Sequence, residues 1–145
     1  MFILQLSAES MNRYNTLDAF TQGYLSAAFW TLSDDASEEL KTAKVENLSE
    51  EAWQEIIETC QAFQKSEKAS LDLAYDYCPE PYEPRNAGVD LWLTRNGNGS
   101  GYWSRGFGKA GASGTVGDYL TKAAEALNGR ALYFGDDRKL YFSEA

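Results

Sequence analysis

The sequence predicts an α+β fold: two N-terminal helices, then an antiparallel sheet of three or four strands with one further helix. Three observations predict it. Apolar residues recur at helical spacing through the first eighty positions, and the period shortens to two after a proline-rich break. Two turn clusters rich in Gly, Asn and Asp then separate short apolar runs. A length of 145 residues suits one domain over 1–145, with a helical, acidic part at 1–80 and a sheet-containing, glycine-rich part at 87–145. With 43% apolar and 14% aromatic residues the chain can fill a core, which argues against disorder.

The elements follow in order. Leu17, Phe20, Tyr24, Ala27 and Ala28 share a helical face, so a first helix is expected from about Asn15 to Leu32, capped by Asn15 or Thr16. Asp34–Asn47 is polar and charged and reads as a connector or a short irregular helix. The second helix opens at Ser49, with Glu50 and Glu51 where the helix dipole favours negative charge and Leu48 and Trp53 at the positions of a hydrophobic staple. Its stripe of Trp53, Ile56, Ile57, Cys60 and Phe63 resumes at Leu71, Ala74, Tyr75 and Cys78, interrupted by a polar gap around Gln64, Glu67 and Lys68 where the helix either bends or continues. Pro79 and Pro81 stop it.

Beyond that break Val89, Leu91 and Leu93 alternate with Asp90, Trp92 and Thr94, the pattern of a half-buried strand. Asn96-Gly97-Asn98-Gly99 reads as a hairpin turn, with Tyr102-Trp103 returning as partner. Val116, Tyr119, Leu120, Ala123 and Leu127 mark a third helix begun near Thr115 and stopped at Gly129. Ala131–Phe134 and Leu140–Phe142 flank Gly135–Arg138 as a second hairpin, and Met1–Leu6 offers one more strand.

Composition narrows the chemistry. The chain contains no histidine, which removes the commonest general base and metal ligand and every Ser-His or Cys-His pairing. Cys60 and Cys78 form no C-x-x-C pair; on one straight helix they would lie about 27 Å apart, beyond disulfide reach, and they read as small buried hydrophobes. No metal site and no cofactor are expected. Gly106–Gly111 matches G-x-G-x-x-G but lacks the preceding strand and βαβ unit that a dinucleotide site needs. The two N-x-S sequons, at Asn47 and Asn98, read as chance matches, and Asp136-Asp137 as turn formers. No apolar run is long enough to span a bilayer, and Met1–Leu6 lacks a basic signal-peptide start, so the expected setting is the cytoplasm.

Charge is distributed unevenly. The net charge is −9, and the stretch from Asp34 to Glu80 carries thirteen acids against four lysines, so the whole imbalance sits there. Between Arg85 and Lys109 the balance reverses, with four bases against the single Asp90. Two candidate surfaces follow. On the second helix Glu51, Glu55 and Glu58, at i, i+4 and i+7, share the face opposite Trp53, Ile57 and Cys60; such a row suits a partner with a basic nucleic-acid groove. The second candidate, 94–109, interleaves Arg95, Arg105 and Lys109 with Tyr102, Trp103, Asn96, Asn98 and several glycines, as platforms for single-stranded nucleic acid do. A metal-dependent hydrolase using Asp90, Asp118 or Asp136 is the weakest reading, since no D-x-D or E-x-x-E cluster marks a site.

The run Asp90-Leu91-Trp92-Leu93-Thr94-Arg95-Asn96-Gly97-Asn98-Gly99-Ser100-Gly101-Tyr102-Trp103-Ser104-Arg105-Gly106 resembles a signature in small proteins of tailed bacteriophages and prophages. There it reads roughly D-F-x-x-T-R-N-G-H-G-A-G-F-W-D-R-G. The similarity continues through the third helix to Leu132–Asp137, and the helical half matches loosely around Tyr14–Trp30. Asn98 and Ser104 stand where that signature has histidine and aspartate, so any His/Asp chemistry of such proteins is absent or crippled here. The resemblance implies a setting, an infected bacterium, and no reaction. The function expected is a non-enzymatic protein that binds and inhibits a host protein, a defence-system protein among the candidates, through its acidic face; the alternative is nucleic-acid or nucleotide binding at 94–109.

Overall fold

Serine and aspartate caps divide the N-terminal helical stretch in two. Ser7 accepts a hydrogen bond from the Ser10 N–H at 3.2 Å and opens α1 (Ala8–Asn15). Asp18 accepts from the Thr21 N–H at 2.8 Å and opens α2 (Ala19–Leu32), so the helix expected from Asn15 begins four residues later on a cap that the apolar spacing did not reveal. The structure, a computed structural model, describes residues 4, 6–32, 37–78, 80–105 and 113–144. The possible N-terminal strand and Gly106–Gly111 lie mainly or wholly outside the described residues.

A short helix, α3 (Glu38–Lys41), and a 3₁₀ turn at Val45–Asn47 lead to α4 (Glu50–Ser66). The Ser49 hydroxyl accepts from the Ala52 N–H at 3.0 Å, and Leu48 and Trp53 are both buried, as the staple requires. Ala52, Trp53, Ile56, Cys60 and Phe63 form the buried stripe. At Glu67 the backbone leaves helical geometry (φ −108°, ψ 20°), and α5 (Lys68–Tyr77) resumes beyond this break.

The expected fold class is overturned in the next segment. Pro84–Arg95 is a helix, α6, not a strand. Pro84 occupies the first helical position, where its missing N–H costs nothing, and the Asn86 side chain accepts from the Glu83 N–H at 2.9 Å. The alternation misled because α6 is enclosed on every side from Asp90 to Arg95: Asp90, Trp92 and Thr94 are as buried as Leu91 and Leu93. Asn96–Gly99 turns no hairpin. Gly97 (φ 66°) is the left-handed residue that ends α6, with the Asn98 N–H reaching the Leu93 carbonyl at 3.0 Å and the Gly97 N–H the Thr94 carbonyl at 3.3 Å. Tyr102–Ser104 is a 3₁₀ turn.

After α7 (Ser113–Glu125), Asn128 takes the left-handed conformation (φ 63°) and the chain enters β1 (Arg130–Phe134) and β2 (Leu140–Glu144). This hairpin lies where the sequence expects it. The strands pair antiparallel with Leu132 opposite Phe142, and they form the one sheet among the described residues. The architecture is therefore mostly helical, with seven α-helices among the described residues and a two-stranded sheet in place of the expected three or four strands.

The centre is the crossing of α2 and α6. A Cβ added to Gly23 would fall on the Arg85 carbonyl, and one added to Gly88 on the Phe20 carbonyl, so the two backbones touch. Phe63 of α4 stacks between Phe20 and Tyr102, with ring centroids 6.2 and 6.1 Å away. The hairpin closes one side through Phe142 on Trp92 and through the Ser49 N–H, which reaches the Leu140 carbonyl at 3.1 Å. One apolar cluster runs from Tyr14 to Leu140 and joins the acidic and glycine-rich parts.

Candidate functional site: an acidic groove along α4

The stripe that buries α4 sends its other face outward. Glu51, Glu55 and Glu58 line one wall of an open groove of roughly 1280 Å³; Ala123, Leu127 and the chain from Asn128 to Arg130 form the other. The structure thus brings all three sequence-predicted glutamates to one concave surface. Their states differ. Glu55 is half-buried and bidentate with Arg130, at 3.0 Å to both Nε and Nη2, a link that ties the start of β1 to α4. Glu51 and Glu58 are exposed and Glu67 further along is half-buried, and none of the three has a cationic partner among the described residues. Arg95 and Phe63 lie deeper in the groove.

Arg95 is buried, and its three hydrogen-bond partners among the described residues are neutral: the Asn128 carbonyl at 2.7 Å, the Leu127 carbonyl at 2.8 Å and the Tyr24 hydroxyl at 3.1 Å. It caps the carbonyls that α7 and its following turn leave open. Sequence reading placed Arg95 in a ligand-binding hairpin; the structure uses it as a strut between α6 and α7.

The rest of that predicted hairpin behaves alike. Asn96 accepts from the Arg130 N–H at 2.7 Å and donates to the Trp92 carbonyl at 3.0 Å. Tyr102 is fully buried and donates to the Ala87 carbonyl at 2.7 Å, while its N–H reaches the Thr94 hydroxyl at 3.1 Å. Burial pushes its phenol well above the ordinary value, with the Asp90 charge adding to the effect, so it stays a donor. Arg105 grips Asp90 through Nε at 2.8 Å and Nη2 at 2.5 Å. Asn98 and Trp103 are exposed, and Lys109 lies outside the described residues. Two of the three cations expected to meet phosphates are thus engaged internally.

Asp90, Asp118 and Asp136 do not converge. Asp90 is buried against Arg105 and Tyr82, Asp118 is exposed on α7 and Asp136 sits in the β1–β2 turn. Among the described residues no group of three His, Cys, Asp or Glu side chains is placed to hold a metal ion. No helix of the described residues is long and apolar enough to cross a membrane. Cys60 is buried and Cys78 half-buried, both as free thiols, so the sequence reading holds for the first and only partly for the second.

No protein-family profile, no curated protein and no solved structure matches this chain.

Proposed function

We propose that this is a non-enzymatic binding protein that takes a basic surface of a larger protein into the groove along α4. In the phage setting that the Thr94–Gly106 resemblance implies, the partner is a host protein with a nucleic-acid groove, and occupying that groove inhibits it. One observation carries the reading: Glu51 and Glu58, with no cationic partner among the described residues, sit on one wall of a wide groove, about 10 Å apart along α4, in a chain of net charge −9. Carboxylates placed so steer a basic partner and fix its register, and the attraction falls with ionic strength.

The test spares Glu55, because reversing it would break the Arg130 pair and perturb the fold. A double Glu51→Lys, Glu58→Lys variant should keep its thermal midpoint and lose roughly tenfold or more in affinity for a partner recovered from bacterial lysate. Wild-type binding should weaken steeply with added salt. A variant that retains the same partner at the same affinity and salt dependence overturns the reading.

A further inference from the structure

Three Asn-Gly steps occur in the chain, at 96–97, 98–99 and 128–129. In such a step the glycine amide nitrogen can attack the asparagine side-chain carbon Cγ, because glycine has no side chain to hinder the approach. The reaction needs a carboxamide and a glycine N–H that are both unbound, and a backbone turned so that the nitrogen nears Cγ. The fold withholds these conditions from two of the three steps. Asn96 is half-buried; its Oδ1 accepts from the Arg130 N–H at 2.7 Å and its Nδ2 donates to the Trp92 carbonyl at 3.0 Å. The Gly97 N–H is taken as well, by the Thr94 carbonyl at 3.3 Å. Asn128 stands in the left-handed conformation (φ 63°), where a ψ of about +47° sets the next nitrogen nearly opposite Cβ. The Arg95 Nε–H donates to the Asn128 carbonyl at 2.7 Å and holds that peptide in place.

Asn98 is under none of these restraints. It is exposed, and neither its carboxamide nor the Gly99 N–H has a hydrogen-bond partner among the described residues. The space around Gly99 is open, since a Cβ added there would meet nothing within 4 Å. We propose that Asn98 is a site of spontaneous modification, at which the native chain converts asparagine to aspartate and isoaspartate. The Gly99 nitrogen gives its proton to hydroxide and forms a bond to Cγ; the Cγ–Nδ2 bond breaks, and Nδ2 leaves as ammonia with a proton from water. A second water opens the resulting cyclic imide at either carbonyl. Opening at Cγ gives aspartate, and opening at the main-chain carbonyl gives isoaspartate, in which the chain runs through Cβ and Cγ. Either product places an ionised carboxylate within Arg85–Lys109, where bases outnumber acids. Asn98 is not among the residues that line the α4 groove, so this chemistry and binding in the groove fail separately.

The native chain, held in mildly alkaline buffer and sampled over time, gives the rates. Trypsin cuts after Arg95, Arg105, Lys122 and Arg130, so Asn96 and Asn98 share one peptide and Asn128 falls on another. Fragmentation in the mass spectrometer assigns each converted site and separates aspartate from isoaspartate. Asn98 should convert several times faster than Asn96 or Asn128, and a more acidic isoform should grow on ion exchange at the same rate. In concentrated urea the three steps should convert at similar rates, because the fold makes the difference between them. Asn98→Ser, a change at an exposed side chain, should abolish the acidic isoform. A native chain in which Asn96 or Asn128 converts as fast as Asn98 overturns the proposal. So does an Asn98 that converts only in urea, or a ranking of the three sites that urea leaves unchanged.

Discussion

Asp90 is the residue on which the glycine-rich half turns. It is fully buried on α6, and it accepts from the Tyr82 hydroxyl at 2.5 Å as well as from Arg105. Burial, reinforced by the Asp90 charge, pushes the Tyr82 phenol far above its ordinary value, so Tyr82 remains a donor throughout the accessible pH range. Removing Arg105 leaves a carboxylate in the core with one neutral donor. Arg105→Met should cost about 2–4 kcal/mol in urea unfolding, below the full penalty for a broken buried pair because the Arg105 side chain keeps 38% exposure. Asp90→Asn combined with Arg105→Met should cost less than Arg105→Met alone, since no buried charge then lacks a partner. A double variant as unstable as the sum of its singles would show that the ion pair is not what binds this segment. The thiols divide similarly by environment. Burial pushes Cys60 well above the ordinary thiol range, so iodoacetamide should modify the half-buried Cys78 in the native protein and Cys60 only on unfolding.

Among the elements, α4 and α6 show opposite relations between pattern and structure. One face of α4 is solvated, so its cap, staple and stripe are legible in the sequence and present, with Ile57 of the expected stripe only half-buried. In α6 only the ends carry signals, Pro84 at the start and Asn96-Gly97 at the stop, because its burial on every side from Asp90 to Arg95 erases the helical period. Asn-Gly fits a hairpin turn and a helix stop equally well, since both need a residue at positive φ. The missed helix is also the one packed backbone to backbone on α2. Gly88→Ala must therefore push the two helices apart and should cost about 1–3 kcal/mol in urea unfolding, although alanine has the higher helix propensity. A neutral or stabilising Gly88→Ala would mean that the crossing is looser than the glycine contacts require.

For the molecule as a whole, stability is bounded by titration at both ends of the pH scale. Burial, with some help from Asp72, pushes the Tyr75 phenol up to about 12, and burial raises Tyr24 and Tyr102 further. Each phenol ionises more easily unfolded than folded, so this stability is complete below about pH 10 and declines as pH rises through the folded values. Thermal midpoints should fall above about pH 10, and the share of tyrosinate absorbance that belongs to the buried phenols should appear together with unfolding. At the acid end, burial alone would raise the Asp18 carboxyl. The side-chain and backbone hydrogen bonds from Thr21, with one from Gln64, outweigh it and hold the group below its ordinary value. That contribution is present above about pH 4 and is lost as pH falls through the lower folded value. Asp18→Asn, which keeps a cap but no charge, should therefore lose less stability between about pH 5 and pH 2 than the wild type does. Equal losses would remove Asp18 from the account.

What the sequence determines unaided is local or additive: the caps and stripe of α4, the second hairpin, and the acidic face of Glu51, Glu55 and Glu58, because each depends on residues a few positions apart. Tertiary structure decided the rest. Whether Asp90 and Trp92 face water or core, whether Arg95 and Arg105 meet a ligand or the chain itself, and whether the acidic row stands as a ridge or lines a groove all depend on segments distant in sequence. A buried helix offers no solvent face to reveal its period, and a cation's partner can be named only when the chain that supplies the acceptor has folded beside it.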